Sequence, residues 1–233
     1  MFCKPSWRTL LLSTTTVLAV GVISPDARAD IPDENYQPVL AHLLGTVMPP
    51  RLDDFHAATE NLTSEFKDFC SDPDKSGLEG TQAAFHAAMD IWQEIQPWRM
   101  GPLVANGRDQ HIEYWPDKHG TAARQFRKLM FDKPAAYTDP EKLSGASAAL
   151  QGFPALEEVL FADDHGDRMI AANEDGVFLC QYGTAIATNL GTLSGELLAE
   201  WPEFATAMEN AGPDSMDYPT AKFAATDLYR ALH

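Results

Sequence analysis

From about residue 50 onward, apolar residues recur three and four positions apart. In residues 52–69 the recurring positions are Leu52, Phe55, Thr59, Leu62, Phe66 and Phe69, one face of a helix. Pro49 and Pro50 precede this stretch, and Ser71, Asp72, Pro73 and Asp74 end it. A second helix over 78–96 carries Phe85, Ala88, Met89, Trp92 and Ile95, and Pro97 and Gly101-Pro102 close it. Residues 103–118 are polar and aromatic without a period, so a loop is predicted there. A short helix follows over 121–131, stopped by Lys133-Pro134. The pattern then predicts one helix over 140–161, and the longest over 177–201 with Leu179, Tyr182, Ile186, Leu190, Leu193 and Leu197 inward. A last helix over 220–232 carries Phe223, Ala224, Leu228 and Leu232. Strand-like alternation is nearly absent. The expectation is an all-α, up-down helical bundle with antiparallel neighbours. The last stripe runs to the end of the chain without a cap, which fits either a shortened chain or a docked terminal helix.

The first residues do not belong to that pattern. Lys4 and Arg8 precede an uncharged, mostly apolar run over 10–23, and Ala27-Arg28-Ala29 follows as an A-x-A cleavage site. This predicts a secretory signal peptide over residues 1–29, with residues 30–233 as the mature domain. The run is short for a membrane span, and no later segment is long and apolar enough to be one. The predicted address is the periplasm. Charge sharpens the picture: 17 Lys+Arg against 34 Asp+Glu give a net −17. Losing Lys4, Arg8 and Arg28 against Asp26 makes the exported chain more acidic still. Such a surface excludes nucleic acid as a partner, because phosphate binding needs a basic one. Cys3 leaves with the signal, so Cys70 and Cys180 remain. In an oxidising compartment two cysteines are expected to pair, closing a long loop that contributes about 4–5 kcal/mol; the alternative is two free, buried thiols.

No glycine-rich phosphate loop, GxSxG elbow, HExxH or CxxC is present. Three stretches hold ionisable groups in suggestive places. In Gln151-Gly152-Phe153-Pro154-Ala155-Leu156-Glu157-Glu158, helical spacing groups Leu150, Phe153, Glu157 and Leu160, so Glu157 is expected to face the apolar stripe and to need a partner there. That partner is a metal, a proton or an arginine. The stretch 108–117 packs Arg108, His111, Glu113, Tyr114 and Trp115 into an irregular segment, with Arg108 and His111 as partners for Glu157. Around Trp92, Gln96 and Arg99 end a helix toward the same cavity, whereas Trp92 reads as core and Glu94 as solvated. His56 and His86 sit at helical positions, as ligands or as satisfied structural residues.

Taken together, the tryptophan helix around Trp92, the 108–120 segment with Trp115-Pro116-Asp117, the stretch from Gln151 to Glu157 and the helix from Cys180 to Leu190 resemble the imelysin (peptidase M75) family. The resemblance covers most of residues 31–233. It implies an all-helical fold of two bundles with a cleft between them, export, and a link to iron uptake. Two full bundles need a longer chain, so the second is expected to be incomplete here. The family's G-x-H-x-x-E marker places a His and a Glu on one face of a helix as metal ligands. Gly152 and Glu157 match it, but Pro154 stands where the His belongs. Glu157 alone carries over as a metal-ligand position; iron or zinc is the metal the resemblance implies, and Pro154 weakens both. The resulting reading is a non-enzymatic periplasmic protein linked to iron uptake or ligand binding. Its unidentified ligand would sit at a cleft of Arg99, Arg108, His111, Trp115 and Glu157. The alternatives are an M75-type metallopeptidase and a structural module bound to an envelope protein.

Overall fold

The computed structural model describes residues 31–232; the predicted signal peptide lies outside the described residues. All regular elements among the described residues are helical. A short helix α1 (Gln37–His42) passes through a π-helical turn, Leu43–Val47, into α2 (Met48–Ser71). Pro49 and Pro50 have no N–H to offer the carbonyls one turn back, and the ladder widens there. All six stripe positions predicted on α2 are buried. Asp74 accepts the Gly77 amide at 2.6 Å and caps α3 (Lys75–Ile95), which turns back along α2. Helix α3 buries Phe85, Ala88, Trp92 and Ile95.

Five shorter helices follow: α4 (Arg108–Ile112), α5 (Thr121–Asp132), α6 (Pro140–Ser144), α7 (Gly152–Phe161) and α8 (His165–Ile170). Then come the long α9 (Glu174–Glu209) and, after a loop, α10 (Ala221–Ala231). Helix α9 is the spine. His56 meets Gly195, Glu60 meets Gly191, Phe66 meets Gly183 and Cys70 is bonded to Cys180, so α2 and α9 are antiparallel. A Cβ at Gly183 would lie 2.4 Å from the Phe66 ring, so only glycine permits that approach. The core between α2, α3, α7 and α9 is aromatic: Phe55 lies 5.6 Å from Trp92 and 6.4 Å from Phe153, and Phe153 lies 5.7 Å from Phe85, ring centre to ring centre.

Three expectations are corrected. The helix predicted over 140–161 is α6, a 3₁₀ turn Ala148–Leu150, and α7, because Gly152 adopts a left-handed φ of 67°. The helix predicted to stop at residue 201 continues through Pro202 to Glu209. Trp201, Ala205 and Met208 keep the buried stripe going, and the Trp201 indole donates to the Leu44 carbonyl at 3.0 Å. Burial thereby outweighs the lost proline hydrogen bond. On α10, Ala224 and Leu228 are buried, but Phe223 and Leu232 are exposed. The start of α10 is held by a distant residue: both Asp33 carboxylate oxygens accept amides, from Ala221 (3.1 Å) and Lys222 (2.7 Å).

Candidate functional site

The site is built where α4 meets the start of α7. Two successive residues before α4 are left-handed, Asn106 (φ 56°) and Gly107 (φ 71°). This drives Arg108 inward, where its side chain is only 3% exposed. Its guanidinium donates to the Pro102 carbonyl, to both oxygens of Glu200 (2.9 and 3.0 Å) and to Glu196 (3.2 Å). Burial opposes the Arg108 charge, but the hydrogen bonds and charges of Glu200 and then Glu196 outweigh it and hold the group above its ordinary value. Arg108 is thus a clamp between the 101–113 segment and α9. The expected pairing of Arg108 with Glu157 is not made, because both Arg108 amino nitrogens are spent on α9 and on Pro102.

Past α4 the chain runs under Gly152. A Cβ there would lie 2.1 Å from the Ile112 carbonyl oxygen and 2.5 Å from that of His111. Both the left-handed φ and this approach demand glycine. The residues around it are locked from the interior. Gln151 is fully buried: its amide donates to the Ala146 carbonyl (2.8 Å) and its oxygen accepts from Asn189 of α9 (2.9 Å). The Tyr182 hydroxyl donates to the Leu150 carbonyl at 2.7 Å. Burial, and next the neighbouring Tyr137, push the Tyr182 hydroxyl well above the ordinary tyrosine range. Glu113, just after α4, accepts the Trp92 indole N–H at 2.6 Å. Further on, the Asp117 carboxylate accepts the amides of Thr121 (2.8 Å) and Ala122 (2.9 Å) at the start of α5. Those backbone hydrogen bonds hold its carboxyl below the usual range.

Glu157 does not face the core. Phe153, Leu156, Val159 and Leu160 form the buried side of α7, and Glu157 is exposed. At 100° per residue it sits about 40° past Phe153, just beyond the buried arc. Counting from Leu150 misplaced it, because Leu150 belongs to the preceding 3₁₀ turn and Gly152 resets the helix phase. Arg99 is exposed and pairs with Asp109 at 3.3 Å. His111 is half-buried, and Trp115 is 67% exposed. The fold brings the backbones of the 108–113 and 151–157 stretches together, but no hydrogen bond or ion pair joins any two of Arg99, Arg108, His111, Trp115 and Glu157.

Sequence reasoning placed Tyr182 on the inward stripe and Gln151 in a candidate stretch without assigning their hydrogen bonds, and it missed Asn189, Glu196 and Glu200. Of these three, Asn189 left a signal, a polar residue beside Leu190 on the apolar stripe of the longest helix. Elsewhere His56 Nδ1 lies 3.0 Å from Ser194 Oγ, which also meets Thr59 Oγ1 at 2.8 Å. Ser194 lies inside α9, where backbone amides are committed to the helix, so no oxyanion donors adjoin it. As to metal, Pro154 has no donor atom, and no group of three or more His, Cys, Asp or Glu among the described residues could hold an ion. The residues present do not fit the His-Glu metal site.

Comparison with known proteins gives consistent matches. A sequence model described as Peptidase_M75, imelysin, matches residues 49–228. The chain is 25% identical over 185 residues to "Iron-regulated protein A" of Synechococcus elongatus, covering 76% of this chain and 45% of that protein. In fold it is similar to the crystal structure of an imelysin-like protein from Psychrobacter arcticum 273-4, with a TM-score of 0.71 at 21% identity, over 87% of this chain and 60% of that one. The chain therefore spans about half the length of the relatives it matches. No helix among the described residues is long and apolar enough to cross a membrane.

Proposed function

We propose the following function for this chain, which belongs to the imelysin (peptidase M75) family: exported and freed of residues 1–29, it is a non-catalytic periplasmic protein linked to iron uptake, acting by binding. Pro154 carries this reading. It occupies the His position of the family's metal pair, and the retained Gly152 serves the backbone junction with α4. The name of the Synechococcus relative supports the iron link. The ligand face we infer lies where α4 meets α7, with His111 and Trp115 on one side and Glu157 on the other. Arg108 shapes that face from within through α9, and Arg99 flanks it.

The test is metal analysis and peptide hydrolysis on the purified protein, beside Pro154→His. Wild type is expected to hold no stoichiometric iron or zinc after dialysis and to cleave no peptide in a chelator-sensitive way. Pro154→His restores a His-Glu pair three residues apart, at half-buried position 154 and exposed Glu157. It is expected to bind zinc at least about tenfold tighter than wild type. Stoichiometric tight metal in wild type, or chelator-sensitive hydrolysis, would return the chain to the metallopeptidase reading.

A further inference from the structure

A separate cavity lies away from the Gly152 junction and shares no residue with it. It is a groove of about 660 Å³ along the first half of α9, walled by the end of α2 and by the turn before α6. That volume is in the range of small-molecule sites. Its floor is apolar: Met169, Ala185 and the Cys70–Cys180 disulfide, with Val177 at the edge.

Four hydroxyls border the groove, and each has already spent its hydrogen on a backbone carbonyl. Ser71 donates to Asp68 (2.8 Å), Thr138 to Ala135 (3.0 Å), Thr184 to Cys180 (2.8 Å) and Thr188 to Thr184 (2.8 Å). Such hydroxyls can accept a hydrogen bond but have none to donate. The side-chain donors left uncommitted are Lys67 and Gln181, both exposed on the rim and neither engaged in a hydrogen bond or ion pair among the described residues. Lys67 is the cation of the groove lining, and no carboxylate among the described residues pairs with it.

We propose that this groove binds a monoanionic amphiphile, its carboxylate at the Lys67–Gln181 rim and its apolar body over the disulfide floor. A neutral ligand leaves the Lys67 ammonium unused. A dianion meets the chain's excess of carboxylates with a single compensating charge. This binding is independent of the function proposed above, and either can fail alone.

The experiment is calorimetric titration of the oxidised protein with decanoate, decanol and decylamine. Decanoate is expected to bind saturably, one per chain, with decanol about three- to fivefold weaker and decylamine weaker again, the ratio an exposed ion pair supplies. Lys67→Gln should bring decanoate down to the decanol level and leave decanol unchanged. Val177→Glu, at a position 45% exposed where the fold tolerates a charge, should abolish decanoate binding. Arg127→Gln makes the same charge change outside the groove and should alter nothing. Absent or non-saturable decanoate binding, equal affinity for decanoate and decanol, or an equal loss in Arg127→Gln would overturn the proposal. So would a dimer that Val177→Glu dissolves, since the groove would then belong to a second copy of the chain.

Discussion

Replacing Gly152 by alanine adds one methyl group at the junction of α4 and α7. Two penalties follow, and they can be separated. The φ of 67° is left-handed, which costs an alanine about 1–2 kcal/mol. The new Cβ would also stand 2.1 Å from the Ile112 carbonyl oxygen, so α4 or α7 must retreat by roughly 1 Å. Overpacking of that kind costs about 1–3 kcal/mol, and the total expected for Gly152→Ala is about 2–5 kcal/mol. Gly107 supplies the control. Its φ is 71°, yet a Cβ there would meet nothing within 4 Å, so Gly107→Ala carries the dihedral penalty alone. The assay is urea unfolding of the disulfide-bonded protein, followed by helical circular dichroism and by tryptophan fluorescence. Gly152→Ala should lower the stability by at least about 1 kcal/mol more than Gly107→Ala, with an unchanged urea slope. Equal effects in the two variants would refute the close approach and with it the geometry of the site.

Two further outcomes are expected. Arg108→Gln should cost about 2–3 kcal/mol in the same assay, below the full value for a broken buried pair because Glu196 and Glu200 are half-exposed and regain water; a change under about 0.5 kcal/mol would show that Arg108 is not the clamp. Burial holds the Tyr182 proton more tightly in the folded state than in the unfolded one, so its contribution is intact below the unfolded value near pH 10 and is lost as pH rises above it, by up to about 1.4 kcal/mol per pH unit. Tyr182→Phe should flatten stability above pH 10 relative to wild type, and should cost about 1–2 kcal/mol at neutral pH by orphaning the Leu150 carbonyl. Identical alkaline profiles would contradict this.

How much of the site was legible follows from how far each signal reaches along the chain. Trp92 as core, Glu94 as a solvated residue and the pairing of Cys70 with Cys180 needed only spacing or cysteine count, and the structure shows each. Glu157 needed the phase of a helix whose start was hidden. A single left-handed residue, Gly152, broke the count from Leu150 and moved the carboxylate from the core to the surface. Arg108 needed knowledge of α9, 88 and 92 positions away by its bonds to Glu196 and Glu200. Pro154 was legible at once, because the absence of a donor atom is a property of the residue and not of its surroundings.

The sequence by itself determined the helices and most of the inward faces, since a 3.6-residue period is local and burial follows it. It also determined the acidity and the absence of a donor atom at position 154. Tertiary structure alone decided where helices end against their local signals: α9 runs through Pro202 because Trp201, Ala205 and Met208 find a core to fill, and 140–161 breaks because Gly152 must fit under α4. It decided, too, which charges meet, joining Asp33 to the start of α10 and Arg108 to α9. Those bonds form between residues that periodicity never relates, and only the packed chain brings them within hydrogen-bond distance.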